Sequence, residues 1–167
     1  MPKSRDLQVQ PVIRRPRPRG VHMNLLEMCD ADVAAIRVES NAADAIRMML
    51  DRHVGAVGVV DSEGRVAGVF TERDVLRKLS LTGRNPDATP LRELMTTPVE
   101  LATTSTTPGE ALAIMLERHF RHLPVVDNSG KLLGILSIRN LLEQRIGDLS
   151  QELDSLEQYV TNDGPGG

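Results

Sequence analysis

The chain contains an internal repeat, in which residues 38–76 align with residues 104–142 at a constant offset of 66 and without a gap. Identities run along the whole alignment, for example the tripeptide Val-Val-Asp at 59–61 and again at 125–127. A unit of this size is too small to bury its own apolar face. We therefore expect the two copies to pack on each other about a pseudo-twofold axis.

Each copy has the pattern of a helix, two strands and a second helix, with a short strand before the first helix. The first helix of the first copy has an apolar face made by Ala42, Ala45, Ile46, Met49 and Leu50. Apolar runs typical of buried strands follow at residues 56–60 and 122–126, and each run leads into a turn with a glycine, Gly64 or Gly130. The second helix is predicted to begin after a hydroxyl residue.

The pattern predicts six segments, and the first is a basic, proline-containing arm. Residues 1–20 hold six basic residues and one acidic residue, so we expect a flexible, solvated arm; contact with nucleic acid or an anionic surface is the alternative. The predicted segments are the arm at 1–22, repeat 1 at 23–80, a linker at 81–96, repeat 2 at 97–145, a C-terminal helix at 146–161 and a disordered tail at 162–167.

The C-terminal helix is predicted to have an apolar seam at alternating spacings of four and three residues. Its members are Leu142, Ile146, Leu149, Leu153, Leu156 and Val160. This heptad spacing is typical of a coiled coil, so we expect a contact between two chains, that is, a homodimer. Packing of the helix onto its own domain is the alternative.

The composition argues against several other classes of protein. One cysteine favours a reducing compartment, and no apolar run is long enough to span a membrane, so we expect a cytoplasmic protein with no membrane partner. An acidic body with only three aromatic residues makes nucleic acid an unfavourable partner. No P-loop, HExxH or GxSxG motif is present, and the four histidines lack metal-ligand spacing, so we predict neither catalytic residues nor a metal site.

The segments 122–127 (HLPVVD) and 68–74 (GVFTERD) resemble the CBS domain, and the tandem pair resembles a Bateman module over about residues 25 to 145. The resemblance implies an α/β (α+β) fold of tandem pseudo-twofold repeats, each a small sheet with two helices, followed by the C-terminal helix. It also implies that adenosine derivatives bind in clefts between the two copies.

The first copy fits the family's ligand motif at Gly68, Thr71 and Asp74. Thr71 is expected at a helix N-terminus, where free N–H groups favour an anion, and the carboxylate of Asp74 can accept two hydrogen bonds from a ribose diol. A helix cap with charge compensation in the first turn is the alternative interpretation.

The resemblance implies that the second copy adds phosphate-binding side chains to the Asp74 cleft. The complete predicted nucleotide-binding set is Val69, Thr71, Asp74, Val99, Arg121, His122, Pro124 and Arg139. A weaker second cleft is expected around Arg73, Ser137 and Asn140, because asparagine offers a diol only one acceptor oxygen.

The sequence therefore predicts a non-catalytic regulatory sensor of AMP, ADP, ATP or NAD(H). It requires no cofactor and passes its signal to an unidentified effector protein. Two alternatives stay open: a structural dimerisation module with vestigial clefts, and a sensor of an S-adenosylmethionine-type ligand.

Overall fold

The computed structural model describes residues 24–29 and 33–162. The first copy contains β1 (Ala35–Arg37), α1 (Ala42–Arg52), β2 (Ala56–Val60), β3 (Val66–Thr71) and α2 (Glu72–Asp74), which continues as a π-helix over Val75–Ser80. The second copy contains β4 (Ala102–Thr103), α3 (Pro108–Arg118), β5 (His122–Val126), β6 (Leu132–Ser137) and α4 (Ile138–Asn162). Short 3-10 turns lie at Leu25–Met28, Pro86–Ala88 and Leu91–Glu93. The predicted repeat of strand, helix, two strands and helix is confirmed.

Both copies build the same three-stranded sheet, which confirms the predicted fold class. In each sheet the first strand pairs in parallel with the second, and the second pairs antiparallel with the third. The antiparallel register shifts at equivalent places, between Val59 and Val60 and between Val125 and Val126. Sequence and backbone irregularity therefore repeat together.

The two copies meet through reciprocal backbone hydrogen bonds between their hairpins. The N–H of Val66 donates to the carbonyl of Gly130, and the N–H of Leu132 donates to the carbonyl of Gly64, both at 3.1 Å. Such reciprocity is what a pseudo-twofold axis between the copies requires. The predicted packing of one copy on the other is present in the described residues.

Each copy has its own apolar core between its sheet and its helices. Helix α1 buries Ala42, Ala45 and Met49 in the first core and half-buries Ile46. The prediction that Leu50 belongs to this face is wrong, because its side chain is 68% exposed. Leu50 lies about 100° around the helix from Met49, beyond Ile46, which is itself only half-buried.

The second copy ends in a continuous helix of 25 residues, which begins at Ile138. At about 1.5 Å per residue it is roughly 37 Å long. The predicted boundary at residue 146 falls inside this helix, and Asn162, the first residue of the predicted tail, is its last residue. The arm at residues 1–22 and residues 163–167 of the tail lie outside the described part of the chain, so the predictions for them stay predictions.

Both hairpin turns hold an aspartate whose pKa lies below its ordinary value. The backbone N–H of Arg65 donates to Asp61 at 2.9 Å and is the main cause of the lowered pKa there. In the second turn the hydroxyl of Ser129 donates to Asp127 at 2.7 Å and is the main cause. Both turns place glycine at φ 82°, as their sequences predict.

These aspartates should make the fold sensitive to acid. Because the folded pKa is lowered, the stabilising contribution is present above the unfolded pKa, near pH 4, and is lost as pH falls through the folded pKa. We expect the melting temperature to fall less between pH 6 and pH 3 in the double variant Asp61→Asn, Asp127→Asn than in the wild type. Circular dichroism measures both melting temperatures. Asp51→Asn, on the exposed side of α1, is the control. An equal acid response of all three proteins would contradict the prediction.

Candidate functional site

The two copies form a cavity of about 380 Å³ beside the first turn of α2. Its walls come from β3 and α2 of the first copy, from residues 96–100 of the connecting segment and from the start of β5. Seven of the eight residues predicted to bind nucleotide line it: Val69, Thr71, Asp74, Val99, Arg121, His122 and Pro124. This volume lies within the range of small-molecule sites, about 300–1,000 Å³.

Thr71 and Asp74 form a capping box at the start of α2. The carboxylate oxygen Oδ2 of Asp74 accepts hydrogen bonds from the backbone N–H of Thr71 at 2.9 Å and from its hydroxyl at 2.8 Å. The hydroxyl of Thr71 accepts in return from the N–H of Asp74 at 3.3 Å. Asp74 is only 7% exposed, so its carboxylate is held in one orientation at the cavity wall.

The second carboxylate oxygen of Asp74, Oδ1, contacts two further residues of the cavity wall. The ammonium of Lys78 lies 2.8 Å from it, and the hydroxyl of Thr96 donates to it at 3.4 Å. Lys78 also donates to the carbonyl of Leu94 at 2.6 Å. Lys78 was not predicted as a site residue, although its spacing of four residues from Asp74 on one helix was a signal that could have identified it.

Both copies place positively charged side chains on the wall of the cavity, which also carries the carboxylates of Glu72 and Glu100. Arg73 and Arg77 of the first copy and Arg121 of the second line it and are exposed. Within residues 24–29 and 33–162, none of these three guanidinium groups forms an ion pair with a carboxylate. His122 lies beside them on the same wall. Exposed guanidinium groups are well suited to a phosphate, which they can bind through paired, charge-assisted hydrogen bonds.

Two predicted arginines lie elsewhere than the resemblance implied for this cavity. Arg139, assigned to the Asp74 cleft from the resemblance, is not among the described residues that line this cavity. Its side chain is 83% exposed and bonds Glu143 at 2.8 Å, and this hydrogen bond raises the pKa of Arg139. Arg73, assigned to the second cleft, lines this cavity. Each arginine directly precedes the Asp or Asn of its own copy's motif, and Arg73 stays beside Asp74 on the same helical turn.

The positively charged end continues into a neighbouring cavity of about 250 Å³. Arg73, His119, Phe120 and Arg121 line both cavities. Phe120, His119 and Arg77 were not predicted as site residues. A ligand longer than a nucleoside monophosphate could therefore extend along Arg73 and Arg121, while the residues that only this second cavity has are the apolar Met115, Leu116 and Ile138.

Part of the wall is apolar. Val69 exchanges two backbone hydrogen bonds with Thr96, at 2.8 Å and 3.1 Å, and this pairing fixes the connecting segment against β3. Val69 and Pro124 are buried and Val99 is half-buried. Such a surface can pack against a planar aromatic base, while the polar groups at the other end fix its orientation.

Ser137 and Asn140 of the second copy are equivalent to Thr71 and Asp74, but their hydrogen bonds differ. The hydroxyl of Ser137 accepts from the N–H of Asn140 at 3.1 Å, so it caps α4 as Thr71 caps α2. The amide Nδ2 of Asn140 donates to the carbonyl of Met28 at 2.9 Å. Asn140 therefore fastens the turn at Leu25–Met28 to the second copy, whereas the acceptor-only Asp74 cannot make such a bond.

That N-terminal turn is the counterpart of the turn at Leu91–Glu93. Gly134 has no room for a Cβ because Cys29 lies 2.9 Å from the place it would take, and Gly68 is blocked in the same way by Met95. The offset of 66 residues thus extends back to Leu25, which matches Leu91. The predicted repeat began only at residue 38 and did not include this part.

Within residues 24–29 and 33–162, no group of three or more His, Cys, Asp or Glu side chains is placed to hold a metal ion. Among the helices of the same residues, none combines the length and the apolar character needed to cross a bilayer.

Comparison with known proteins gives a consistent family. The family model of the CBS domain matches residues 26–81 and 91–147. A 17.7 kDa protein of Acidianus ambivalens is 37% identical over 115 residues, which are 69% of this chain and 68% of that protein.

Solved structures agree with this match. A protein with CBS domains from Burkholderia ambifaria is 35% identical and superposes with a TM-score of 0.68 over 75% of this chain and 96% of its own. CBSX2, crystallised in complex with AMP, is 25% identical with a TM-score of 0.61 over 74% of this chain and 96% of its own. The matched residues and the duplicated topology show that the chain belongs to the CBS-domain family and carries two CBS domains in tandem.

Proposed function

We propose that this protein is a non-catalytic sensor that binds an adenine nucleotide in the cavity beside Asp74. CBS-domain pairs are regulatory modules, and CBSX2 is similar to this chain and forms a complex with AMP. The observation that carries the proposal lies in the cavity itself. A fixed carboxylate, which suits a ribose, shares one wall with exposed arginines that have no carboxylate partner in the described residues, and these suit a phosphate.

AMP is the first ligand that we propose. Its ribose hydroxyls would donate to Asp74, its phosphate would accept from Arg121 and His122 with Arg73 nearby, and its base would pack on Val69 and Pro124. ADP, ATP and NAD(H) carry the same adenosine group, and their further phosphates would extend along the neighbouring cavity. We assign no covalent step to these residues.

A nucleotide in this position would contact α2 of the first copy, β5 of the second copy and the connecting segment. Binding would shift the protein towards the relative orientation of the copies in which all three contacts form, but only as far as the ligand binds that orientation more tightly than others. The signal would then pass to an effector protein. The regulatory output is thus a change of shape.

Calorimetry and thermal unfolding with AMP test the proposal. A ligand at one hundred times its dissociation constant should stabilise the wild type by about 2.7 kcal/mol and raise its melting temperature. Asp74→Ala should remove AMP binding, whereas Asn140→Ala should retain most of it, because Asn140 bonds the backbone of Met28. Since Asp74→Ala also loses the capping box, its affinity is measured well below its own melting temperature. Equal losses in the two variants would contradict the choice of cleft.

The remaining ligands distinguish the alternatives. ADP, ATP, NADH and S-adenosylmethionine are tested under the same conditions. A shift with S-adenosylmethionine alone would favour an adenosyl ligand without phosphate. If none of these ligands raises the melting temperature, the sensor is refuted and the structural dimerisation module remains as the alternative. Turnover of a nucleotide in the same samples would show that the protein is an enzyme.

We also propose that the protein is a homodimer whose chains meet along α4. Five seam residues are at least 43% exposed: Leu142, Ile146, Leu149, Leu153 and Leu156. The side chain of Val160, the sixth, lies outside the described part. Residues 148–162 extend beyond the match to the family, so the second CBS domain does not account for this part of the helix. A second copy of the same seam would remove the exposed leucines from water.

A further inference from the structure

All positions around the Asp74 carboxylate that can accept a hydrogen bond already face a donor of this chain. An ionised carboxylate has about four such positions, two on each oxygen. Oδ2 takes the N–H and the hydroxyl of Thr71. Oδ1 takes the ammonium of Lys78 and, at the longer distance of 3.4 Å, the hydroxyl of Thr96. A ribose diol cannot bind this carboxylate without displacing a donor.

Oδ1 is the oxygen from which a donor can be displaced. Of the two donors on Oδ2, the backbone N–H of Thr71 belongs to the capping box, and its loss would leave the first turn of α2 without this reciprocal cap. The hydroxyl of Thr71 is held in place because it accepts the N–H of Asp74, the other bond of the box. The ammonium of Lys78, by contrast, has two further acceptors, the carbonyl of Leu94 at 2.6 Å and the hydroxyl of Thr96 at 3.4 Å. It can leave Asp74 and keep these partners. Its side chain is 37% exposed, so water can also solvate it.

The second copy shows why a lysine serves here and not a neutral residue. The carbonyl of Met28, equivalent to that of Leu94, is bonded by Asn140, the residue equivalent to Asp74. The residue equivalent to Lys78 is Gln144, which donates to Asp148 at 2.8 Å. In the first copy the aspartate cannot donate, so the lysine bonds the carbonyl and the carboxylate at once.

The backbone around Lys78 also differs between the copies. Val75–Ser80 is a π-helix, whereas the equivalent part of α4 is an ordinary α-helix. A π-helical turn is rare, and where it occurs it is frequently at a functional site. Lys78 belongs to this turn and connects α2 to Leu94, which is buried in the first core.

We propose that Lys78 competes with the ribose for Oδ1 of Asp74 and thereby lowers the preference of the cleft for a ribose diol over a sugar without hydroxyls. The proposal rests on the proposed binding of an adenine nucleotide at Asp74. Lys78 is a specificity-determining residue in this scheme. Its release from Asp74 also ties sugar recognition to the segment that joins the two copies, since the lysine stays bonded to Leu94.

The test compares AMP with 2′,3′-dideoxy-AMP in calorimetry on the full chain. The two nucleotides carry the same phosphate, so the ratio of their dissociation constants reports on the diol and cancels any general effect of charge. Lys78→Gln, which copies the residue of the second copy, should raise the preference for AMP by up to about fivefold, the size expected when a partly exposed ion pair no longer competes. Lys78→Met should act in the same direction.

Arg77→Gln is the matched control, because it removes one positive charge from the same wall without a contact to Asp74. It should weaken the binding of both nucleotides and leave their ratio unchanged. A ratio that stays constant or falls in both Lys78 variants, with AMP still bound by the wild type, would overturn the competition and leave the sensor intact. Absence of AMP binding by the wild type would overturn both proposals. Circular dichroism confirms that each variant is folded.

Discussion

Arg121→Ala should weaken AMP binding by roughly tenfold to a hundredfold while leaving the binding of adenosine nearly unchanged. A hydrogen bond between charged groups contributes about 1.5–3 kcal/mol, and every 1.4 kcal/mol corresponds to a factor of ten in the dissociation constant. Within the described residues, Arg121 forms no ion pair with a carboxylate, so its guanidinium group is available to a phosphate without breaking an existing bond. Isothermal titration with AMP and adenosine measures both effects.

Arg139→Ala is the control for this expectation. The alignment of the copies makes Arg139 the counterpart of Arg73, and the resemblance to the family assigned it to the phosphate. The structure instead places its side chain in solvent beside Glu143. We expect AMP affinity within about twofold of the wild type. If Arg139→Ala lost as much AMP affinity as Arg121→Ala, the proposed site would be contradicted. The assignment of Arg139 to the phosphate would then be favoured.

The sequence was sufficient to predict the fold, because each local signal agrees with the duplicated pattern. Glycines at matching turn positions take the same positive φ, and the apolar runs become the central strands of two equivalent sheets. Because the pattern occurs twice, each element is predicted from two separate stretches of sequence. The failure at Leu50 has a physical reason: periodicity reports which residues share a helix face, but not how much of that face the sheet can cover.

The candidate site was predicted less completely than the fold. Residues within a contiguous motif, such as Thr71 and Asp74, stay together in space because one helical turn positions both. The position of a long side chain depends in addition on the partners that it meets: Arg139 bonds Glu143 in solvent and does not line the cavity, whereas Arg73 does. The position of the Lys78 side chain depends in addition on the π-helical turn, and no sequence signal for this turn was identified.

The seam on α4 has features that favour a parallel pair of helices and one that opposes it. Ile146, Leu153 and Val160 occupy one heptad position and leucines occupy the other, which is the pattern of two-stranded parallel coiled coils. In that arrangement, however, Glu152 of one chain would lie near Glu157 of the other, and like charges repel. Burial of the leucines must outweigh this repulsion, so the dimer depends on the apolar seam.

Substitution of two of these leucines should therefore dissociate the proposed dimer. Burial of one leucine side chain contributes about 1.5–3 kcal/mol, and Leu149→Glu with Leu156→Glu removes four leucines from each dimer. A loss of roughly 6 kcal/mol or more raises the dissociation constant by about four orders of magnitude. Native mass spectrometry should then show the wild type at twice the 18.3 kDa of one chain and the variant at 18.3 kDa. Gln151→Glu with Gln158→Glu adds the same charges at the same spacing outside the seam and should remain dimeric. A wild type that is monomeric at micromolar concentration, or a control that dissociates equally, would contradict the seam as the interface.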